Sequence, residues 1–146
     1  MVRMLIGKVE PAGYKAIQPL YEHCQANVDR RLHELIKIRA SQINGCAYCI
    51  DLHARDARAL GEGEHRIYAL NAWRETPFFD ERERAALALT EAATRLGEHG
   101  VPDDVYEAAA AQFSEVELAN VILAIGLINF WNRIGVTCAM QPKARE

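Results

Sequence analysis

The sequence lacks the features that would suit a membrane, a nucleic acid or a secreted scaffold. No apolar run reaches the length needed to cross a bilayer, and residues 1–11 lack the longer apolar region of a signal peptide. The formal net charge of the 146-residue chain is −3, and its Arg and Glu residues are interspersed rather than clustered. That distribution argues against nucleic acid and anionic membranes as partners. We therefore expect a cytoplasmic protein.

Signals for β-strands are also missing. There are no β-branched runs with period-two alternation, whereas the helix formers Ala, Leu, Glu and Arg are abundant. Half of the residues are hydrophobic and a quarter are charged, which is typical of a folded protein, and the length suits one domain with a sizeable core. No linker, low-complexity segment or internal repeat interrupts it. We predict a single all-α domain over residues 1–146, with about six to seven helices.

Capping and breaking residues predict where these helices begin and end. Asp29, Asp80 and Ser114 suit N-cap positions, the last two with a glutamate three residues later as in a capping box. Gly61 suits the end of a helix, and Pro102 the first turn of one. The first predicted helix covers about residues 13–27, and Pro19 kinks or restarts it. Asp29 opens the second helix, and the helix that carries the cysteines ends at Leu60. Four more helices are predicted, over residues 64–73, over 80–97, from Pro102 onward and over 115–136.

The most reactive group of side chains lies between residues 34 and 53. It contains Cys46 and Cys49 at i and i+3, His53 four residues after the second cysteine, and Glu34 twelve residues before the first. Cysteines at this spacing can share one face of a helical turn and form a disulfide, and a histidine one turn further lies within reach of the second sulfur. An Asn-Gly turn precedes the pair. It predicts a helix N-terminus, whose unpaired N–H groups favour a thiolate.

This pattern leaves two chemical interpretations open, dithiol redox chemistry and metal binding. Zinc could bind Cys46, Cys49 and His53. The fourth ligand would then be a carboxylate or one of three other histidines, His23, His33 or His65. However, no second CxxC or HxxxH accompanies the pair, and three ligands on one helix differ from the usual two-part zinc site. Covalent haem attachment is excluded, because it needs a histidine directly after the second cysteine, where Ile50 stands.

For Glu34, the other histidines and the other two cysteines, each taken alone, the sequence predicts ordinary structural roles. A helix carboxylate such as Glu34 is ordinarily solvated, but its neighbours are apolar, so it could meet His53 across the helix pair and orient the imidazole or relay a proton. The remaining histidines are expected to lie at the surface or to be hydrogen-bonded. Cys24 and Cys138 are expected to be small buried apolar residues.

The motif E-x11-C-x-x-C-x3-H resembles the active-site signature of the alkyl hydroperoxidase D-like branch of the carboxymuconolactone decarboxylase family. Similar phrases flank it, namely SQINGCAYCIDLHARDA, the region of Trp73, FDERERAALALTEAAT and INFWNRIG, so the likeness covers roughly residues 14–140. It implies an all-α fold and a homo-oligomer, such as a trimer or a hexamer.

The resemblance also implies a thiol peroxidase that needs no metal, flavin or haem. Cys49 would be the peroxidatic nucleophile and Cys46 its disulfide partner, with His53 assisting deprotonation of Cys49 and Glu34 completing the relay. A dithiol reductant or a thiol-carrying protein would reduce the disulfide. The best-characterised members have a histidine just before the second cysteine, where this chain has Tyr48, so the implied relay is shorter. A non-enzymatic redox sensor and a decarboxylase acting on a lactone acid remain alternatives.

Overall fold

Helices make up the fold of residues 1–144, the part of the chain that the computed structural model describes. Over this range there are nine α-helices, one 3-10 helix and no β-strand. In chain order they are α1 (Ile6–Val9), α2 (Pro11–Lys15), α3 (Gln18–Asn27), α4 (Arg30–Asn44), α5 (Ala47–Ala59), α6 (Glu64–Tyr68), the 3-10 helix (Leu70–Glu75), α7 (Glu81–Thr94), α8 (Asp103–Gln112) and α9 (Glu115–Thr137).

The all-α prediction is confirmed, but the predicted number of about six to seven helices was too low. The segment predicted from Gly13 is divided, because α2 ends at Lys15 and α3 begins at Gln18. Pro19 lies in the first turn of α3, where its missing N–H costs nothing, so it restarts the helix. The 64–73 segment is also divided, into α6 and the 3-10 helix, and α1 had no sequence prediction.

Capping side chains begin the longer helices where the sequence predicted them. Asp29 accepts a hydrogen bond from the backbone N–H three residues later, at 3.0 Å, and Asp80 and Ser114 each form a reciprocal capping box. Such a cap stabilises a helix by about 1 kcal/mol. Gly61 follows the end of α5 with a φ of +84°, as expected of a glycine at this position. The placement of Pro102 was one residue wrong, since it is the N-cap of α8 rather than part of its first turn.

Helix α4 lies at the centre of the domain and packs against α5, α7 and α9. Every residue from 32 to 41 is buried. One apolar cluster lies on its α7–α8–α9 side and includes Ile36, and a second, toward α5, α7 and the 3-10 helix, includes Leu35 and Ile38. Because α4 is surrounded in this way, its polar side chains, including Glu34, are buried together with its apolar ones.

The longest helix, α9, lies partly in the core and partly at the surface. By length and composition it could cross a membrane, but half of its most apolar stretch is buried within the fold, as in the core helix of a folded domain. Its buried face carries Val121, Ile125 and Ile128, whereas Ile122 and Phe130 are more than 40% exposed. The helix is therefore a core element with an apolar outer face.

Candidate active site

The cysteine pair lies at the N-terminus of α5, as the sequence predicted. Cys46 is the N-cap residue, and its Sγ accepts a hydrogen bond from the backbone N–H of Cys49 at 3.3 Å. The two sulfurs form a disulfide, with the Cα atoms 5.3 Å apart. Gly45, with a φ of +68°, ends α4 and turns the chain into α5. The unpaired N–H groups of this helix end favour negative charge on a sulfur once the disulfide is reduced.

Glu34 and His53 meet across the α4–α5 pair. His53 Nδ1 lies 3.1 Å from Glu34 Oε2, and both side chains are buried. The carboxylate of Asp56, one turn after His53, is further away at 3.9 Å and half exposed. The predicted contact between the helix carboxylate and the motif histidine is therefore confirmed, and it orients the imidazole ring.

The charge of Glu34 determines which nitrogen of His53 can accept a proton. Burial alone would raise the pKa of Glu34, but the hydrogen bond from His53 and the positive charge of Lys37 outweigh burial and hold this pKa below its ordinary value. An ionised carboxylate only accepts hydrogen bonds. His53 Nδ1 must therefore donate, which leaves Nε2 of the neutral ring as the atom that can take a proton.

Lys37 completes a buried cluster that the sequence reading missed. Its Nζ lies 2.6 Å from Glu34 Oε1, so the two carboxylate oxygens have different partners, Lys37 and His53. Lys37 is only 4% exposed, which is rare for a lysine unless it is paired. The i, i+3 spacing of the glutamate and lysine was the available signal, but such pairs usually lie at helix surfaces.

His33 contradicts the expectation that the remaining histidines are exposed or hydrogen-bonded. It is 2% exposed, and its Nδ1 has no hydrogen-bond partner among residues 1–144. Burial, assisted by the positive charge of Lys37, lowers the pKa of His33 to about 3. The ring is therefore neutral at physiological pH. By contrast, His23 is satisfied as expected, with its Nε2 2.8 Å from Asn120 Oδ1.

A cavity of about 300 Å³ opens beside Cys49 and His53. Its walls are mainly aromatic and aliphatic, and they come from α2, α3, α5, α9 and the segment after α9. Besides Cys49 and His53, the lining residues are Tyr14, Gln18, Tyr21, Tyr48, Leu52, Asp56, Trp131, Ile134, Gly135 and Met140. The rings of Tyr14 and Trp131 lie 5.2 Å apart. A larger hollow of about 610 Å³, between residues 61–66 and 77–83, contains no cysteine. The smaller cavity is the candidate site, because Cys49 and His53 line it.

Gly135 of α9 is the second residue that the sequence reading missed. A Cβ at this position would lie 2.7 Å from Cys46 Sγ and 3.3 Å from Cys49 Sγ. Both distances are shorter than the normal contact between a carbon and a sulfur that are not bonded to each other. Only glycine therefore allows α9 to pack directly on the disulfide. The available signal was an isolated glycine inside an apolar helix, which often has a packing reason.

The side chains that could hold a cation differ from the ligands that the alternative zinc site would need. Among residues 1–144, one cluster has potential ligand atoms within 4.8 Å of one another, namely Glu34, His53 and Asp56. The ammonium of Lys37 already neutralises this glutamate and would repel a cation. The two cysteines are bonded to each other, and a disulfide has no thiolate to bind zinc.

Comparison with known proteins identifies the family. The model of the family described as carboxymuconolactone decarboxylase matches residues 11–92, more than half of the chain. The chain belongs to this family. Uncharacterized protein YdfG of Bacillus subtilis strain 168 is 42% identical over 139 residues, which cover 94% of this chain and 95% of YdfG.

Solved structures confirm the fold and the alkyl hydroperoxidase D-like assignment. A protein of unknown function from Agrobacterium tumefaciens, described as a candidate antioxidant defence protein AhpD, superposes with a TM-score of 0.96 at 40% identity, covering 99% of this chain and all of the other. The debrominase Bmp8, solved with 2,3,4-tribromopyrrole, has a TM-score of 0.85 at 23% identity, covering 95% of this chain and 74% of Bmp8. The latter likeness shows a shared fold alone.

Proposed function

We propose that the protein is a thiol peroxidase that reduces hydroperoxides through a dithiol–disulfide cycle of Cys46 and Cys49. The observation that carries the proposal is the buried Glu34–His53 pair, which supports a ring nitrogen able to accept a proton. His53 and Cys49 line the same cavity, so the base and the nucleophile can reach one substrate. Membership of the alkyl hydroperoxidase D-like branch favours the same reaction.

The first step transfers one oxygen atom from the peroxide to sulfur. His53 takes the proton of the Cys49 thiol, and the thiolate attacks the terminal peroxide oxygen. The O–O bond breaks, Cys49 becomes a sulfenic acid, and the leaving alkoxide takes the proton from the imidazolium to give an alcohol. Hydrogen peroxide would give water in the same way.

The second step forms the disulfide, and the third reduces it. The Cys46 thiol attacks the sulfenic sulfur, and the hydroxyl group leaves with the Cys46 proton as water. A dithiol, free or carried by a protein, then reduces the Cys46–Cys49 bond by exchange and is itself oxidised to a disulfide. No step needs a resident metal, flavin or haem.

We further propose that the working form is a homo-oligomer, a trimer or a hexamer, as the family resemblance implies. The apolar outer face of α9, with Ile122, Leu123 and Phe130 each more than 40% exposed, supports this proposal, because apolar patches on a surface often mark interfaces. Size-exclusion chromatography with light scattering would test it, and a monomer would contradict it. A cytoplasmic location stays a prediction of the sequence.

Steady-state turnover tests the peroxidase proposal. We would measure consumption of hydrogen peroxide and of an organic hydroperoxide with excess dithiothreitol, for wild type, Cys49→Ser and Cys46→Ser. Cys138→Ala is the matched control, because Cys138 is also a buried cysteine but is free and outside the motif. We expect multiple turnovers in wild type and in the control, and none in Cys49→Ser. Zinc is measured on the same samples.

Each alternative function predicts a different result. A redox sensor would consume about one equivalent of peroxide and stop, even with excess dithiol. A decarboxylase would act on a lactone acid after both cysteines had been replaced. Stoichiometric zinc without turnover would make the cysteine pair a metal site and would overturn the peroxidase proposal.

A further inference from the structure

Lys37 lies beside the proposed proton relay, although it is not part of the family-like motif. Its ammonium binds one oxygen of the Glu34 carboxylate at 2.6 Å, and His53 Nδ1 lies 3.1 Å from the other oxygen. All three side chains are buried. The carboxylate therefore connects a lysine and a histidine, and its single negative charge acts on both.

The charged and titratable groups around this carboxylate come from three helices. On α4 these are Lys37 and His33, and the His33 ring is neutral because its pKa is about 3. On α5 they are His53 and the half-exposed Asp56. On α3, Tyr21 interacts electrostatically with Glu34, and Cys24 with Lys37; burial raises the pKa of both, so both are neutral at physiological pH. Among these groups, Lys37 is the cation that balances Glu34 while His53 is neutral.

Removing this cation would change the charge of His53. A buried carboxylate without a counter-ion is costly, and the nearest group that can supply a positive charge is the imidazole ring bonded to it. A protonated ring has no free nitrogen to accept the proton of the Cys49 thiol. A change of charge at Lys37 would thus reach the Cys49 thiol through two intermediate side chains, Glu34 and His53.

We propose that Lys37 is a positioning residue of the relay, which balances the charge of Glu34 and so keeps His53 neutral and able to accept the Cys49 proton. This inference rests on the proposed peroxidase function. It assigns to Lys37 more than a stabilising role, because the attraction within a buried ion pair is largely offset by the cost of desolvating its two charges.

The test follows the His53 ring by NMR as a function of pH, in the oxidised protein, where neither cysteine of the pair titrates. The signal is assigned by its absence in His53→Gln. Lys37→Met keeps the side-chain length and removes the charge. In this variant we expect the midpoint of the His53 titration to lie about one pH unit or more above that of wild type. In Lys37→Arg, which keeps the charge, we expect the wild-type value. Lys8→Met, at an exposed lysine, is the matched control and should also leave it unchanged.

A double variant keeps the proposal testable if Lys37→Met folds poorly. Lys37→Met with Glu34→Gln removes both charges, so no unpaired ion is buried, and the His53 ring should lose its proton at the wild-type pH or below. Peroxide turnover near neutral pH should fall by up to about tenfold in Lys37→Met, because a shift of one pH unit lowers the fraction of His53 rings that are neutral by up to that factor. It should stay near wild type in Lys37→Arg.

Two outcomes would overturn the role of Lys37. One is an unmoved or lowered His53 titration in folded Lys37→Met, and the other is a raised titration with unchanged turnover. Failure of the peroxidase proposal itself is distinguishable, because wild type would then show no turnover. The NMR titration does not depend on turnover and would still report whether Lys37 controls the charge of the ring.

Discussion

Replacing Gly135 by alanine tests how closely α9 packs against the cysteine pair. The added Cβ would lie 2.7 Å from Cys46 Sγ and 3.3 Å from Cys49 Sγ. A disulfide sulfur is held by two covalent bonds and cannot rotate away as a free side-chain end can. The helix backbone or the start of α5 must therefore move.

The expected cost is the difference between two opposing contributions. Alanine in a helix interior is more stable than glycine by roughly 0.5–1 kcal/mol, because glycine loses more backbone entropy on folding. Overpacking a close contact costs about 1–3 kcal/mol. We therefore expect Gly135→Ala to lower the free energy of unfolding of the oxidised protein by up to about 2.5 kcal/mol. Each kcal/mol corresponds to a decrease in Tm of roughly 3 °C.

The same helix provides a matched control, Gly126. This glycine is exposed, and a Cβ there would meet no atom of the described part of the chain within 4 Å. Gly126→Ala should therefore stabilise the protein by about 0.5–1 kcal/mol through the backbone effect alone. Both variants would be unfolded with urea, once in the oxidised form and once with excess reductant.

The redox state separates a sulfur contact from a general packing defect. When the disulfide is reduced, the Cys46 side chain regains rotation about its own bonds and can move away from an added methyl group. The destabilisation by Gly135→Ala should then be smaller in the reduced protein. If Gly135→Ala matched Gly126→Ala in the oxidised protein, the inferred contact between α9 and the disulfide would be refuted.

Two further predictions concern Tyr48 and Glu91. Tyr48→Phe should change kcat/KM for peroxide by less than about tenfold, equivalent to about 1.4 kcal/mol, because a phenol hydroxyl is a poor proton acceptor. A loss as complete as in Cys49→Ser would contradict the short relay. Glu91→Gln should lower the free energy of unfolding at neutral pH by about 3 kcal/mol, because it leaves the buried guanidinium of Arg39 without its counter-ion. Burial alone would raise the pKa of Glu91, but hydrogen bonds from Arg74, Trp73 and Arg39 outweigh burial, so the pKa is lower in the folded protein than in the unfolded chain. The ionised carboxylate therefore stabilises the fold fully at pH values above the unfolded-state pKa of a glutamate. Urea unfolding should show the difference from wild type shrinking as the pH falls through the native pKa of Glu91, and a constant difference would refute this account.

Local sequence signals predicted much of the helical framework. N-caps at Asp29, Asp80 and Ser114 and the glycine after α5 act over three or four residues, so they can be read directly from the chain. The N-terminal region was predicted less well. Helices α1 and α2 have only four and five residues and bury none of their side chains, so they leave little hydrophobic periodicity in the sequence.

The core of the candidate site could also be predicted, because its parts lie on two consecutive helices. The spacing of Cys46, Cys49 and His53 along one helix is a property of the sequence, and a short turn brings Glu34 to the same histidine. The disulfide and the Glu34–His53 contact therefore follow from local geometry and a single helix–helix contact. Their chemical role remains part of the proposed function.

The sequence by itself determined the helical class, the starts of the long helices α4, α7 and α9 and the Glu34-to-His53 motif, because these depend on residues that are near one another along the chain. Only the tertiary structure decided that Lys37 is buried on the Glu34 carboxylate, that Gly135 lies against the two sulfurs and that Tyr14 and Trp131 line the cavity. A lysine on an amphipathic helix, or a glycine in an apolar one, fits many environments equally well. Burial on α4 and the approach of α9 depend on the packing of the whole domain, which no local pattern specifies.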